Sequence, residues 1–187
     1  MRAVQVLLYD PRWPARFATT AAELRAALGP AAVAVHHVGS TAVPGLAAKP
    51  VVDVLAVADD LGAVDGAEPS LVGLGYEPRG EYGLPGRRYF VRGADGRRTD
   101  HVHVYGEGDP AVARHLAVRD YLRAHPEEAA GYGALKAAVA GRYPDDNRRY
   151  AEAKGPFVAA LERRALAWAA RAGAAGAETD GTGGRRQ

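Results

Sequence analysis

Apolar residues follow two periods along the chain, and these separate predicted strands from predicted helices. Continuous apolar runs at residues 33–38 and 51–57 predict strands that are covered by helices on both faces. Helical spacing of apolar residues, with Pro, Gly or Asp at the ends, predicts most of the other elements. The expected helices occupy residues 11–28 and 60–75 and three segments that begin near Pro110, Pro126 and Pro144, and further strands are expected at 76–82, 87–92 and 99–105.

The order of these elements sets the expected fold class. Strands and helices alternate at first, the last two strands form an antiparallel hairpin around a turn at residues 94–96, and the rest is helical. The pattern predicts an α/β (α+β) protein with a small mixed sheet flanked by helices and a helical C-terminal half. Residues 1–170 are expected to form a single domain. Residues 171–187 have neither periodicity nor a large apolar side chain, which predicts a disordered tail.

Composition narrows the classes of partner. The chain has 187 residues with 24 Lys and Arg against 22 Asp and Glu, a balance that argues against a nucleic-acid partner. The sequence pI of about 9.0 points weakly to anionic ligands. No cysteine is present, so a metal would have to be bound by His, Asp or Glu. Neither a signal peptide nor a membrane-spanning run is evident, so we expect a cytoplasmic location and no membrane contact, while the oligomeric state stays open.

The loop between the first two predicted strands is the first candidate for chemistry. Gly39-Ser40-Thr41 follows a strand directly, and a glycine turn of this kind can present backbone N–H groups and hydroxyls to a phosphate. The spacing is not that of a Walker P-loop. The alternative is a tight turn whose hydroxyls only cap the backbone. Lys49, near the end of the loop, is either a solvated side chain or a phosphate ligand.

Asp53 stands inside the apolar run 51–57, where a carboxylate is costly unless it is paired or bound to a cation. His101 and His103 alternate along their own strand and therefore face the same side of it. If the two strands are neighbours, these three side chains form a candidate catalytic or metal-binding group. The alternatives are an aspartate that is hydrogen-bonded to a loop and a solvent-facing strand that carries two histidines.

The remaining candidates are residues that would bind an anionic substrate. They are Arg88, Arg119, Lys136, Tyr150 and Lys154. The four basic residues are surface side chains by default, and only their convergence on the Gly39 loop would change that interpretation. Tyr150 lies on the apolar face expected for the last helix, which docks on the rest of the chain.

Four segments together resemble the GrpB family of uncharacterised proteins, which is assigned to the nucleotidyltransferase superfamily. They are HHVGSTAVPGLAAKPVVDVLAV at residues 36–57, DHVHVY at 100–105, VRDYLRAHPEEAAGYGALK at 118–136 and RRYAEAKGPFV at 148–158. The resemblance implies a nucleotidyltransferase-like fold. It also implies that Gly39 and Ser40 hold the phosphates of a nucleotide and that Asp53 is the first metal-binding carboxylate.

One position departs from the superfamily pattern. A second carboxylate is expected two residues after Asp53, and Leu55 stands there, while His101 and His103 occupy the strand expected to carry the third. The resemblance implies a transferase that uses a divalent metal (Mg, Mn or Zn) and ATP or another nucleoside triphosphate on an unknown small acceptor. The missing carboxylate keeps a second interpretation open, a non-catalytic domain that binds a nucleotide or another small phosphorylated ligand.

Overall fold

A five-stranded mixed sheet forms the centre of the structure, a computed structural model that describes residues 4–94 and 96–180. The strands lie in the order β1-β2-β5-β4-β3, and β2 pairs with β5 in parallel while all other neighbours are antiparallel. The strands are β1 (Ala32–Val38), β2 (Val52–Ala58), β3 (Glu77–Pro78), β4 (Arg88–Ala94) and β5 (Arg97–Gly106). The helices are α1 (Trp13–Leu28), α2 (Leu61–Gly66), α3 (Glu68–Gly73), α4 (Pro110–Ala124), α5 (Pro126–Arg142) and α6 (Asn147–Asp180). The expected α/β class with a mixed sheet flanked by helices is confirmed.

Alternation along β2 divides its side chains between two faces of the sheet. Val52, Val54 and Ala56 are fully buried in the core that the sheet forms with α1, α2 and α3. Leu55 faces the other side, where it packs in an apolar cluster with side chains of β1, β5 and α4. Both faces of this strand are therefore covered, as its continuous apolar run predicts.

A second core joins the three C-terminal helices to the loop that follows β1. Val43 and Leu46 of that loop pack among buried side chains of α4, α5 and α6. The loop also pairs with the N-terminal segment, because Leu7 and Ala48 form an isolated antiparallel bridge. The helical half therefore fixes the position of the Gly39–Lys49 loop against the sheet.

Three predicted elements differ from the structure. The helix expected at 60–75 is divided into α2 and α3, because Pro69 lies in the first turn of α3 and cannot donate a hydrogen bond to α2. The strand expected at 76–82 is reduced to β3, after which turns rich in glycine lead to β4. The hairpin of β4 and β5 is present, although Asp95 of its predicted turn lies outside the described residues.

Helix α6 continues past residue 170 into the segment predicted as a tail, and the disorder of that segment stays a prediction. The helix continues to Asp180, and alanine, the strongest helix former, recurs in this stretch of the sequence. Residues 181–187 of the predicted tail lie outside the described residues, and the single domain over residues 1–170 stays a prediction. None of the helices in the described part of the chain is long and apolar enough to cross a membrane.

Candidate functional site

Three neighbouring strands bring Asp53, His101 and His103 together at one end of the strands. β1 ends where β2 and β5 begin, and the register pairs Val38 with Asp53 and Asp53 with His101. Asp53 and His101 therefore lie side by side, and His103 follows two residues later on the same face. The side chain of Asp53 keeps 30% of its surface exposed, so the group is open to solvent on this side.

Gly39 is the residue that lets the loop lie against Asp53. Its backbone has φ 68°, and a Cβ atom at this position would overlap the carboxylate of Asp53. Ser40 then begins a single 3₁₀ turn. Thr41 does not face a ligand, because its side chain is buried and its hydroxyl lies 3.0 Å from Nε2 of His37. The expected phosphate contact from Thr41 is corrected to a role in holding the loop on β1.

Asp53 makes its shortest contact with His101, whose Nδ1 lies 3.0 Å from Oδ1 of the carboxylate. Burial acts to raise the pKa of Asp53, but the hydrogen bond from His101 and the neighbouring imidazoles outweigh it, so the pKa is lowered and the carboxylate is charged. Nε2 of His103 lies 4.0 Å from the same oxygen. Burial lowers the pKa of His103 to about 3, so this imidazole is neutral at pH 7.

The donor set at Asp53 does not fit a divalent metal. Among residues 4–94 and 96–180, no three His, Asp or Glu side chains are arranged so that they could hold one. Nδ1 of His101 is hydrogen-bonded to Asp53, and Nδ1 of His103 lies 3.3 Å from the guanidinium of Arg87, so only Nε2 of each imidazole is left as a donor. The position of the second carboxylate is filled by Leu55, which is fully buried among apolar side chains. Magnesium in particular prefers oxygen ligands, and Asp53 alone supplies them here.

Lys136 reaches this group from α5. Its Nζ donates a 2.7 Å hydrogen bond to Oγ of Ser40 and lies 4.4 Å from the centre of the Tyr132 ring. Only 3% of the residue is exposed. Burial, and then the charge of Lys154, lower the pKa of Lys136 from the usual 10.5 to about 7, although the charge of Asp53 opposes them.

Lys49 and Lys154 approach from the same side. Both ammonium groups lie near the Tyr150 ring, at 5.4 Å and 5.9 Å from its centre, and Nζ of Lys49 also donates to Asn147. Burial lowers the pKa of both lysines, and the charge of Asp53 opposes that shift. Within the described residues, no carboxylate lies within 4.0 Å of any of the three ammonium groups.

These are the only lysines in the sequence, against 21 arginines. The charge of Asp53 acts on all three ammonium groups. The rest of the chain uses arginine, and all three lysines lie at this site, where a compact ammonium group differs from a guanidinium. This bias is a signal in the sequence that the prediction missed.

The two predicted arginines are not part of this cluster. Arg88 pairs with Asp65 at 2.5 Å, and its register partner Val104 faces the core beneath α1, so Arg88 lies on the opposite face of the sheet. Arg119 pairs with Asp120 and donates to the carbonyl of His37, which ties α4 to the edge strand. Their expected convergence on the substrate site is therefore corrected.

Arg87 takes the place that Arg88 was expected to have. It precedes the strand by one residue, is 6% exposed and contacts His103. Arg98 acts on Lys49 and Tyr89 and adds positive charge near the site. Two clefts of about 360 Å³ lie elsewhere on the described surface, one beside Pro44 and Arg123 and one beside Arg16 and Thr99.

Comparison with known proteins gives relatives over most of the chain. UPF0157 protein YqkA of Bacillus subtilis is 41% identical over 167 residues, which are 89% of this chain and 48% of that protein. UPF0157 protein PA4798 of Pseudomonas aeruginosa is 41% identical over 88% of this chain and 68% of its own length. A dephospho-CoA kinase of Mycolicibacterium paratuberculosis is 32% identical over 89% of this chain. The chain spans about half the length of YqkA and of this kinase.

A solved structure of similar sequence identity is also known. The crystal structure of the conserved protein GrpB from Enterococcus faecalis superposes with a TM-score of 0.83 at 40% identity, over 87% of this chain and 97% of that one. The Cid1 poly(U) polymerase is far more distant, with a TM-score of 0.45 and 12% identity. The sequence model of the GrpB protein family matches residues 3–164. The chain therefore belongs to the GrpB family.

Proposed function

We propose that the protein binds a small phosphorylated ligand, of which a nucleotide is the leading candidate, at Ser40 and the three lysines. The observation that carries the proposal is Lys136. This ammonium group is almost completely buried, yet its hydrogen-bond partner is a neutral hydroxyl and no carboxylate pairs with it within the described residues. A buried charge without a counter-ion is costly, so the site favours an anion that enters from outside.

Ser40 supports the same ligand chemistry. Its Oγ accepts a hydrogen bond from Lys136, which leaves the hydroxyl hydrogen free to be donated to a phosphate oxygen. Lys49 and Lys154 supply further positive charge, and Tyr150 lies beneath both. Phosphate groups carry several acceptor oxygens and are bound by lysine as a point charge. The cluster therefore suits a ligand with two or more phosphates better than a carboxylate.

The lysines also offer an alternative to a metal ion. In metal-dependent phosphate sites the cation neutralises the phosphate oxygens and is itself held by carboxylates. Here the donor set at Asp53 does not fit a metal, whereas three ammonium groups belong to the chain itself. The protein is accordingly expected to bind its ligand when divalent metals are removed.

Calorimetric titration tests the proposal directly. The purified protein is titrated with tripolyphosphate and with ATP at pH 7, once with EDTA and once with magnesium. Lys136→Met is expected to weaken both ligands at least tenfold, whereas Arg163→Met, which removes an exposed positive charge from α6, is expected to change little. Absence of binding by the wild-type protein, or equal binding by Lys136→Met, would refute the proposal.

A second candidate function is a nucleotide-dependent transferase. It is favoured by the charged and partly exposed carboxylate of Asp53, which lies beside Gly39 and is hydrogen-bonded to His101. One relative is named a dephospho-CoA kinase, although the chain spans only 47% of it. Incubation with labelled nucleoside triphosphates and manganese or magnesium separates the two functions. Pyrophosphate release that Asp53→Asn abolishes would show that the bond between the α- and β-phosphates is broken and the nucleotidyl group is transferred, to water where no other acceptor is added. Ligand binding without release would leave the binding function.

A further inference from the structure

A glycine-rich loop leads from β3 to β4 and carries an aromatic side chain in an unusual backbone conformation. Gly80, Gly83 and Gly86 all have positive φ, which is ordinary for glycine. Tyr82 has φ 45°, and it is the only residue other than glycine with positive φ in the described part of the chain. The Tyr82 residue is nevertheless 61% exposed, so burial of its ring does not explain the conformation. Such a backbone is strained and persists where the surroundings hold it.

Arg87 holds this loop on the site. Its side chain donates to the carbonyl of Glu81 at 3.2 Å and to the carbonyl of Tyr82 at 2.9 Å. A third nitrogen of the same guanidinium lies 3.3 Å from Nδ1 of His103. One buried side chain therefore connects the carbonyl of Tyr82 to a histidine that lies beside Asp53.

The ring of Tyr82 extends a row of aromatic side chains outward from Asp53. Its centre lies 5.4 Å from that of Tyr89, whose ring in turn lies 5.7 Å from His101 and 5.0 Å from His103. Arg87 also lies 4.5 Å from the centre of the Tyr89 ring. The inner side of Tyr82 is thus supported by a fixed neighbour, while most of its surface remains exposed.

We infer that Tyr82 is the stacking surface for an aromatic base, so that the ligand of the lysine cluster is a nucleotide and not a plain polyphosphate or a sugar phosphate. This inference rests on the proposed function, because the phosphates are bound by Ser40 and Lys136. Two ring-to-ring steps, of 5.4 Å and 5.7 Å, and the hydrogen bond of His101 separate Tyr82 from the carboxylate of Asp53, and the sugar of the nucleotide would span this interval. Stacking on a tyrosine is tolerant of base identity, and a purine offers the larger surface.

The test compares ATP with tripolyphosphate, which carries the phosphates without a base. Wild-type protein is expected to bind ATP at least tenfold more tightly in calorimetric titrations. Tyr82→Asn removes the ring but keeps a residue that tolerates positive φ, and it is expected to reduce the affinity for ATP to that for tripolyphosphate. Tyr82→Phe should keep the preference. Leu84→Asn, an exposed apolar residue of the same loop, serves as the matched control and should keep it as well.

The possible outcomes distinguish this inference from the function on which it rests. If tripolyphosphate binds and Lys136→Met abolishes that binding, but Tyr82→Asn leaves the preference for ATP unchanged, the role of Tyr82 is refuted and the phosphate site stands. Equal affinity of the wild-type protein for both ligands refutes it in the same way. If neither ligand binds to the wild-type protein, the phosphate site and the stacking surface are both refuted. A thermal unfolding curve for Tyr82→Asn shows whether the variant is folded.

Discussion

Replacing Lys136 by methionine is expected to make the unliganded protein more stable while it weakens phosphate binding. The ammonium group is 3% exposed, and no carboxylate of the described residues lies within 4.0 Å of it. Methionine has a similar length and fills the same space beside Tyr132 without a charge. An opposite effect on stability and on binding is expected of a residue whose position serves the ligand and not the fold.

The size of the effect follows from the pKa of Lys136. A pKa of about 7 in the folded protein, against the ordinary 10.5, corresponds to ~5 kcal/mol of destabilisation when the lysine is charged. The variant also loses the hydrogen bond to Ser40, which contributes roughly 1 kcal/mol or somewhat more. Replacement of a buried ion pair by apolar residues is often neutral or gains about 1–4 kcal/mol, and Lys136 has no paired carboxylate that would offset its charge. We therefore expect the free energy of unfolding of Lys136→Met to rise by about 1–4 kcal/mol at pH 7.

The same reasoning also predicts how the free energy of unfolding depends on pH. Between about pH 7 and pH 10.5 the lysine holds a proton in the unfolded chain but not in the folded protein, so the stability of the wild-type protein rises with pH across this range. The destabilisation is complete below about pH 7 and disappears near pH 10.5. Lys136→Met lacks this contribution, so its stability should rise less steeply with pH.

Urea unfolding at a series of pH values between about 6 and 9 measures both quantities. Arg163→Met is the matched control, because it removes an exposed charge from a helix and should leave both stability and slope unchanged. A Lys136→Met variant that is less stable than the wild type and keeps the same slope would refute the reasoning. It would mean that the ammonium group is already compensated in the unliganded protein.

Three further predictions concern the same site. Gly39→Ala should lower the free energy of unfolding, measured in urea titrations, by about 1–3 kcal/mol more than Gly45→Ala does. Both positions have positive φ, but only at Gly39 would the new Cβ overlap Asp53. Equal losses in the two variants would contradict the overlap. Tripolyphosphate binding at about pH 8 should take up close to one proton, since an anion raises the pKa of Lys136, whereas little uptake is expected at about pH 6. Calorimetry in buffers of different ionisation enthalpy measures this uptake, and an undiminished uptake in Lys136→Met would count against it. Asp53→Asn should shift the pH midpoint of tripolyphosphate binding downward, because the charge of Asp53 raises the pKa of Lys136; an unchanged midpoint would show that the two groups do not interact.

The group at Asp53 was accessible to sequence reasoning because it depends on strand alternation. The apolar run of β2 and the alternation of His101 and His103 fix which side chains share a face, and the parallel pairing of β2 with β5 then places them side by side. The glycine of the loop was equally predictable, since a sharp turn directly after a strand favours this residue, although its contact with Asp53 was not. Local periodicity was sufficient for the shared faces and for the turn, whereas the pairing of β2 with β5 was known only from the structure.

The positively charged part of the site depends on tertiary packing, which periodicity does not determine. Lys136 and Lys154 were candidates from the sequence, but their burial follows from how α5 and α6 dock on the loop. The choice between Arg87 and Arg88 shows the limit most clearly. A shift of one residue in a strand moves a side chain to the other face, and the register with His103 places Tyr89, not Arg88, on the site.

An uncharged Leu55 in place of a carboxylate and the presence of three lysines both make the charge of the site more positive. In a metal-dependent site, carboxylates are needed because they hold the cations that neutralise the phosphates. Where ammonium groups of the chain supply that charge, a second carboxylate would repel the ligand, and an apolar side chain at residue 55 can pack under α4 instead. Asp53 then has a different use, because its charge opposes the burial that lowers the pKa of all three lysines. A single carboxylate at this position raises the pKa of Lys136 toward neutrality, and under the proposed function the lysine would take up a proton when a phosphate binds.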